Sequence, residues 1–184
     1  MKVTPTKLEG CLIIEPAAFS DNRGYFMESF NKKLFCEAVG QDVHFVQDNQ
    51  SFSSQGVVRA LHYQTGEYAQ AKLVRVLWGI VLDVAVDLRK NSPSFGEHIA
   101  IELSGENKKQ LFIPKGFAHG FVVLSETAEF FYKCDNYYNK ASEGGIIFND
   151  PTLNIDWKLP HEQLIVSEKD QILPTLDNAR LWFK

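Results

Sequence analysis

Four stretches of this chain are more polar than the strands they would occupy. They are Phe45-Val46-Gln47-Asp48-Asn49-Gln50-Ser51, Val57-Val58-Arg59-Ala60-Leu61-His62-Tyr63-Gln64, Gln70-Ala71-Lys72-Leu73-Val74-Arg75-Val76 and Phe130-Phe131-Tyr132-Lys133-Cys134-Asp135-Asn136-Tyr137-Tyr138. An Arg, a His, a Lys, a Tyr and several amides on the inner walls of a small β fold make a polar pocket in an apolar surround. That is the description of a ligand site. Taken singly, each residue also has a plain structural reading. A strand His is often a satisfied structural residue, a strand Lys is usually solvated, and strand tyrosines are usually packing.

Metal chemistry is one candidate. The pattern Pro114-x-Gly116-x-x-His119 resembles the second half of the metal-binding motif of cupin barrels. The first half needs two histidines one residue apart and a nearby Glu, but here His62 is followed two places on by Gln64. Only five histidines exist, and of these only His62, His44 and His119 fall near the polar stretches. Two or three imidazoles plus a carboxylate are needed to fix a divalent ion, so no metal is expected.

The elements that must position these residues are strands. Along Ile80–Leu88 the apolar Ile80, Leu82, Val84, Val86 and Leu88 share one face, and Asp83 and Asp87 fall on the other. Further strands are predicted at 11–14, 25–30, 45–52, 57–63, 72–77, 98–103, 110–113, 121–124 and 129–137. Turns are expected at Asp21-Asn22-Arg23-Gly24, Ser54-Gln55-Gly56, Ser104-Gly105-Glu106-Asn107 and through Pro114–Gly120. Many short strands at this spacing predict an all-β barrel or two-sheet jelly roll of antiparallel strands. Helix is scarce. Asn31 caps a predicted helix over 32–39, with Leu34, Phe35 and Val39 packing inward and Gly40 ending it, and a second short helix is expected near 160–164. On a regular strand Arg59 and His62 have opposite parity. If both line one pocket, the strand must bulge or end between them.

Composition bounds the rest. The 184 residues suit one domain over 1–184, with no repeat or linker to divide it. A net charge of -4 leaves no broad basic field for nucleic acid, though a local basic pocket for phosphate is still open. No apolar run is long enough for a membrane span, and the first sixteen residues do not read as a secretory signal. Three widely spaced cysteines, Cys11, Cys36 and Cys134, predict free thiols and a reducing, cytoplasmic setting.

Several blocks occur in a familiar order: Asp21-Asn-Arg-Gly-Tyr-Phe26, Phe45-Val-Gln-Asp-Asn-Gln-Ser51, Arg59-Ala-Leu-His-Tyr-Gln64, Pro114-Lys-Gly-Phe-Ala-His-Gly-Phe121, Asn149-Asp-Pro151 with Ile155-Asp-Trp157, and Ser167-Glu-Lys-Asp170. Together, over nearly the whole chain, they resemble the dTDP-4-dehydrorhamnose 3,5-epimerases, a metal-free cupin family of nucleotide-sugar enzymes. The resemblance implies a cupin-type jelly roll, a dTDP-sugar substrate, no cofactor and a homodimer formed through N-terminal strands. It implies His62 as base with Asp170 as its partner, Tyr132 as acid, and Lys72 supporting an enolate with His119 nearby. Arg23, Glu28, Gln47, Asn49, Arg59, Glu143 and Lys169 match nucleotide and diphosphate positions, and Asp48 is placed with them. Tyr138 matches the aromatic that stacks on thymine. Two residues depart from the pattern: Ala60 stands where Gly is usual, and Asn139 where Pro is usual. Ala60 asks only for an ordinary backbone there, and Asn139 is expected to leave the nucleotide-side loop looser.

The chemistry suits these residue types. A ketone at C4 acidifies the protons at C3 and C5. Inversion removes a proton from one face and returns one to the other, which calls for a base and an acid on opposite walls. A fixed cation beside the oxyanion intermediate strengthens as charge develops. Competing readings are an epimerase acting at one carbon only or on another 4-keto nucleotide sugar, a 3,4-ketoisomerase, a non-catalytic sugar-binding cupin, and a metal-dependent oxygenase. The ketoisomerases are shorter and lack the Ser-Glu-Lys-Asp ending. A binding-only cupin is expected to have lost His62 or Tyr132, and Gln64 argues against the oxygenase.

Overall fold

The computed structural model describes residues 1–181 and 183. Its strands are β1 (Lys2–Pro5), β2 (Leu12–Glu15), β3 (Ala18–Asp21), β4 (Gly24–Met27), β5 (Gln47–Ser54), β6 (Val57–Gln64), β7 (Lys72–Trp78), β8 (Ile80–Asp87), β9 (His98–Ser104), β10 (Gln110–Ile113), β11 (Phe117–Val123), β12 (Thr127–Cys134), β13 (Glu143–Gly145) and β14 (Ile165–Val166). Two α-helices, α1 (Lys32–Val39) and α2 (Glu168–Gln171), and a few 3-10 turns complete them. One sheet runs β1-β2-β10-β7-β12-β5 and the other β13-β6-β11-β8-β9, with β14 added in parallel to β6. The β3-β4 hairpin stands apart from both. The two sheets face each other as a jelly roll and do not close into one continuous barrel. Among the described residues no helix is long and apolar enough to cross a membrane.

Side chains from both sheets fill the space between them. Val74 and Phe130 on one side pack with Val81, Ala85, Phe117 and Phe121 on the other. The expected β8 face of Leu82, Val84, Val86 and Leu88 is also buried, because Ile146, Phe148, Leu153, Trp157 and Leu176 of the C-terminal segment cover it. Both faces of β8 are therefore interior, and Asp83 and Asp87 are fully buried rather than solvated. Asp87 is satisfied by Arg89, Ser92 and Ser94.

Helix α1 has the predicted bounds. The Asn31 side chain accepts the Leu34 N–H, and Gly40, at φ 72°, closes the helix with its N–H on the Cys36 carbonyl. Its Phe35 is driven edge-on against Phe112, with centroids 5.2 Å apart. Fully burying such a side chain stabilises by roughly 1.5–3 kcal/mol. Leu34, expected inward, is 45% exposed. Near 160–164 the chain forms a 3-10 turn, His161–Gln163. The turn before β11 is confined to Lys115–Gly116, so His119 and Gly120 lie within the strand instead of ahead of it. Strand β12 ends at Cys134, which leaves Tyr137 and Tyr138 in a loop.

Candidate active site

The site depends on an irregularity in β6. His62 pairs with His119, but Arg59 pairs with Phe121, so three steps on β6 oppose two on β11. This extra residue resolves the parity conflict and turns Arg59 and His62 into one cavity. Gly120 gives the room. A Cβ there would lie 2.5 Å from the Ala60 Cβ and 2.8 Å from the Arg59 carbonyl oxygen.

The cavity has a volume of about 800 Å³, a size that suits a small organic ligand. Gln47, Asn49, Arg59, His62, Lys72, His119, Tyr132, Tyr138, Glu143, Lys169 and Asp170 all line it. They come from both sheets, from α2 and, for Tyr138, from the loop after β12. Ser51 lines it as well, with its Oγ buried and without a partner among the described residues. The strand reading did not single out Ser51, although it shares parity with Gln47 and Asn49.

His62 Nε2 lies 2.7 Å from Asp170 Oδ1. Asp170 is fixed by the start of α2, where the Ser167 side chain accepts its N–H. Burial pushes the Asp170 carboxyl up, but hydrogen bonds and charge from His62, with the Ala60 N–H, outweigh it and hold the carboxyl below its usual range. His119 Nε2 meets a second carboxylate, Asp83 Oδ2, at 2.9 Å. Burial keeps His119 less basic than usual, and Asp83 only partly offsets this. The other Asp83 oxygen is buried without a hydrogen-bond partner among the described residues. Alternation along β8 puts Asp83 on the face opposite its apolar residues and gives no sign that this face is buried beside His119.

Lys72 has no carboxylate within ion-pair distance among the described residues. Burial lowers its pKa, with Cys134 and Asp83 pulling the other way. Its Nζ stands 5.9 Å from the centre of the Tyr132 ring. Burial raises the Tyr132 phenol and Cys134 adds to this, while Arg59 opposes it, so the group is held protonated. Arg59 gives both Nε and Nη2 to Ser53 Oγ at 3.2 Å.

At the other end of the cavity Tyr138 is 57% exposed, but its backbone is tied down. Its N–H donates to Gln47 Oε1 at 3.1 Å, and its hydroxyl to Glu143 Oε2 at 3.3 Å. Glu143 Oε1 in turn meets Lys169 Nζ at 2.7 Å. The loop is not slack at Asn139. The Asn139 N–H donates to Gln64 Oε1 at 2.6 Å, and its side chain caps the next turn by accepting the Ser142 N–H.

Three expected ligand residues lie elsewhere. Asp48 faces outward from β5 and pairs with Lys133 at 2.9 Å, because its parity is opposite to that of Gln47 and Asn49. Arg23 is exposed at the hairpin tip and pairs with its neighbour Asp21. Glu28 follows the hairpin and lines a separate cavity of about 220 Å³. Among the described residues no three His, Cys, Asp or Glu side chains gather as metal ligands. All three cysteines are free, with Cys11 and Cys134 buried.

Residues 5–178 match the family model described as dTDP-4-dehydrorhamnose 3,5-epimerase. A protein of that name from Shigella flexneri is 56% identical over 92% of this chain and 93% of its own length. The crystal structure of dTDP-4-dehydrorhamnose 3,5-epimerase from Elizabethkingia anophelis is 60% identical, with a TM-score of 0.94 over 97% of each chain. A Legionella pneumophila dTDP-6-deoxy-D-glucose-3,5-epimerase, solved in complex with dTDP-4-keto-L-rhamnose, is 48% identical. Its TM-score is 0.95 over 100% of this chain and 98% of that one.

Proposed function

The chain belongs to the dTDP-4-dehydrorhamnose 3,5-epimerase family, and from that premise we propose that it inverts C3 and C5 of dTDP-4-dehydro-6-deoxy-D-glucose. The product is dTDP-4-dehydro-L-rhamnose, and the step belongs to dTDP-L-rhamnose formation. The observation that carries this reading is that His62 of one sheet and Tyr132 of the other line the same cavity, together with the Lys72 ammonium.

The chemistry follows from that placement. Asp170 accepts from His62 Nε2, which leaves the other ring nitrogen free to take a proton from the carbon beside the ketone. The electron pair moves onto the C4 oxygen. Lys72, not neutralised by a nearby carboxylate, stabilises that oxyanion. Tyr132, kept protonated by burial, returns a proton to the opposite face. No electron leaves the sugar, so the reaction itself requires no redox cofactor. Arg59 and Lys169 suit the diphosphate, and the Tyr138 ring suits a stacked thymine.

The homodimer is part of the same proposal. The β3-β4 hairpin carries Phe19 at 68% and Phe26 at 72% exposure, and it holds Arg23 away from its own cavity. A second copy receiving that hairpin would cover the rings and bring Arg23 and Glu28 to a neighbour's site.

The deciding experiment is turnover of the 4-keto-6-deoxy sugar nucleotide in heavy water, read by mass spectrometry. Deuterium at both C3 and C5 is expected. A single labelled carbon would reduce the chain to a one-carbon epimerase. Tight substrate binding with no exchange would make it a sugar-nucleotide binding protein.

A further inference from the structure

We propose that Gln64 is a positioning residue for the nucleobase platform, acting through the backbone on both sides of Tyr138. This rests on reading the cavity as a dTDP-sugar site. Gln64 ends β6 and is only 5% exposed. A primary amide has two N–H donors and one carbonyl acceptor, and here all are engaged by main chain. Its Nε2 donates to the Tyr68 carbonyl at 2.7 Å and to the Tyr137 carbonyl at 3.1 Å. Its Oε1 accepts from the Asn139 N–H at 2.6 Å. The last two partners bracket Tyr138. The Tyr138 N–H itself goes to Gln47 on the opposite sheet. Three consecutive residues of one loop are thus clamped by two glutamines from facing sheets.

The clamp explains how a largely exposed ring can serve as a stacking surface. A loop already ordered before the ligand arrives spares the binding step that ordering. It also explains Asn139. A Pro at this position would have no N–H for Gln64 Oε1, and the backbone φ of -135° lies outside the range Pro can adopt. The contact needs only a backbone N–H at position 139, which any residue but Pro supplies, while the Asn139 side chain caps the next turn.

The test is calorimetric binding of dTDP, together with steady-state epimerisation, for wild type, Gln64→Met, Tyr138→Ala and the double variant. Gln64→Met conserves size and removes all three hydrogen bonds. We expect weaker dTDP binding and a higher KM by about tenfold, within the roughly ten- to hundredfold that a base stack carries, with kcat nearly unchanged. The double variant should bind dTDP no more weakly than Tyr138→Ala alone, because Gln64 acts through Tyr138. Gln64→Glu is the second probe, since its carboxylate faces two carbonyls. Its deficit relative to wild type should shrink at lower pH, where a protonated carboxyl regains a donor. Wild-type affinity in Gln64→Met, a loss in kcat alone, or penalties that multiply in the double variant overturns the inference and leaves the site reading intact. A wild-type chain that does not bind dTDP overturns the site reading, and this inference with it.

Discussion

His62 and His119 are direct cross-strand partners, and each offers Nε2 to a different carboxylate. Asp170 meets the first at 2.7 Å and Asp83 the second at 2.9 Å. The two pairs are not equivalent. The His62 side chain is 32% exposed and the His119 side chain 8%. His62 keeps an open edge toward the cavity, whereas His119 is enclosed and held less basic by its burial. On the proposed mechanism the more open imidazole is the one that exchanges protons, and the enclosed one shapes the wall beside it.

His62→Ala should therefore abolish both deuterium exchange and epimerisation. Loss of a general base typically costs ~10²–10⁴-fold. Asp170→Asn should lose less, because the base remains but loses the carboxylate that orients it. The measurement is kcat for both variants beside their thermal unfolding. Equal losses would mean that Asp170 does more than orient His62.

The pH profile should show a Lys72 limb on the alkaline side. An ordinary Lys titrates near 10.5, and burial moves Lys72 below that. Tyr132 moves the other way, because burial raises its phenol above the ordinary 10.0, so the two shifts are opposite in sign. kcat/KM should fall as pH rises through the lowered Lys72 value. Lys72→Arg should keep whatever activity remains to higher pH, because a guanidinium does not deprotonate in this range. An alkaline limb that does not move in Lys72→Arg would assign it to another group.

Much of the wall was legible because strand parity sorts side chains between two faces. Gln47 and Asn49 belong inside by that rule, and the same rule would have excluded Asp48, which now pairs outward with Lys133. The Arg59–His62 conflict showed that an irregularity was needed, but only the β11 partner reveals where the extra residue sits. Asp170 lies 108 residues from His62, and only family resemblance joined them. Asp83 could not be found by alternation, because β8 is covered on both faces and its polar side is as buried as its apolar one. The Pro114–Gly120 segment looked like turn because of its glycines. Gly120 is in fact there to let two strands approach at the bulge.

The hairpin makes a prediction about assembly. Arg23→Ala and His62→Ala should each be poorly active alone. Mixed under conditions that exchange subunits, they should regain activity, since one site of the mixed dimer would have both an intact His62 and an intact partner hairpin. Sedimentation should give a dimer for each variant. A mixture no more active than its parts would place Arg23 outside the site in the assembled protein too.

Tyr132 gives the sharpest test of the two-wall mechanism. Tyr132→Phe keeps the ring that packs near Phe130 and Lys72 but removes the hydroxyl. Proton removal by His62 does not need that hydroxyl, so the enolate should still form. Without a donor on the far wall, the enolate is reprotonated by the same His62, on the original face and with a deuteron from solvent. The variant should therefore wash deuterium into the substrate faster than it inverts the centre, whereas the wild type couples the two. Mass spectrometry reads the exchange, and NMR on the same sample reads the configuration. Proportional loss of exchange and inversion would show that Tyr132 is not the far-wall acid. Undiminished inversion would mean that another group, with water or His119 the nearest in kind, delivers the proton to that face.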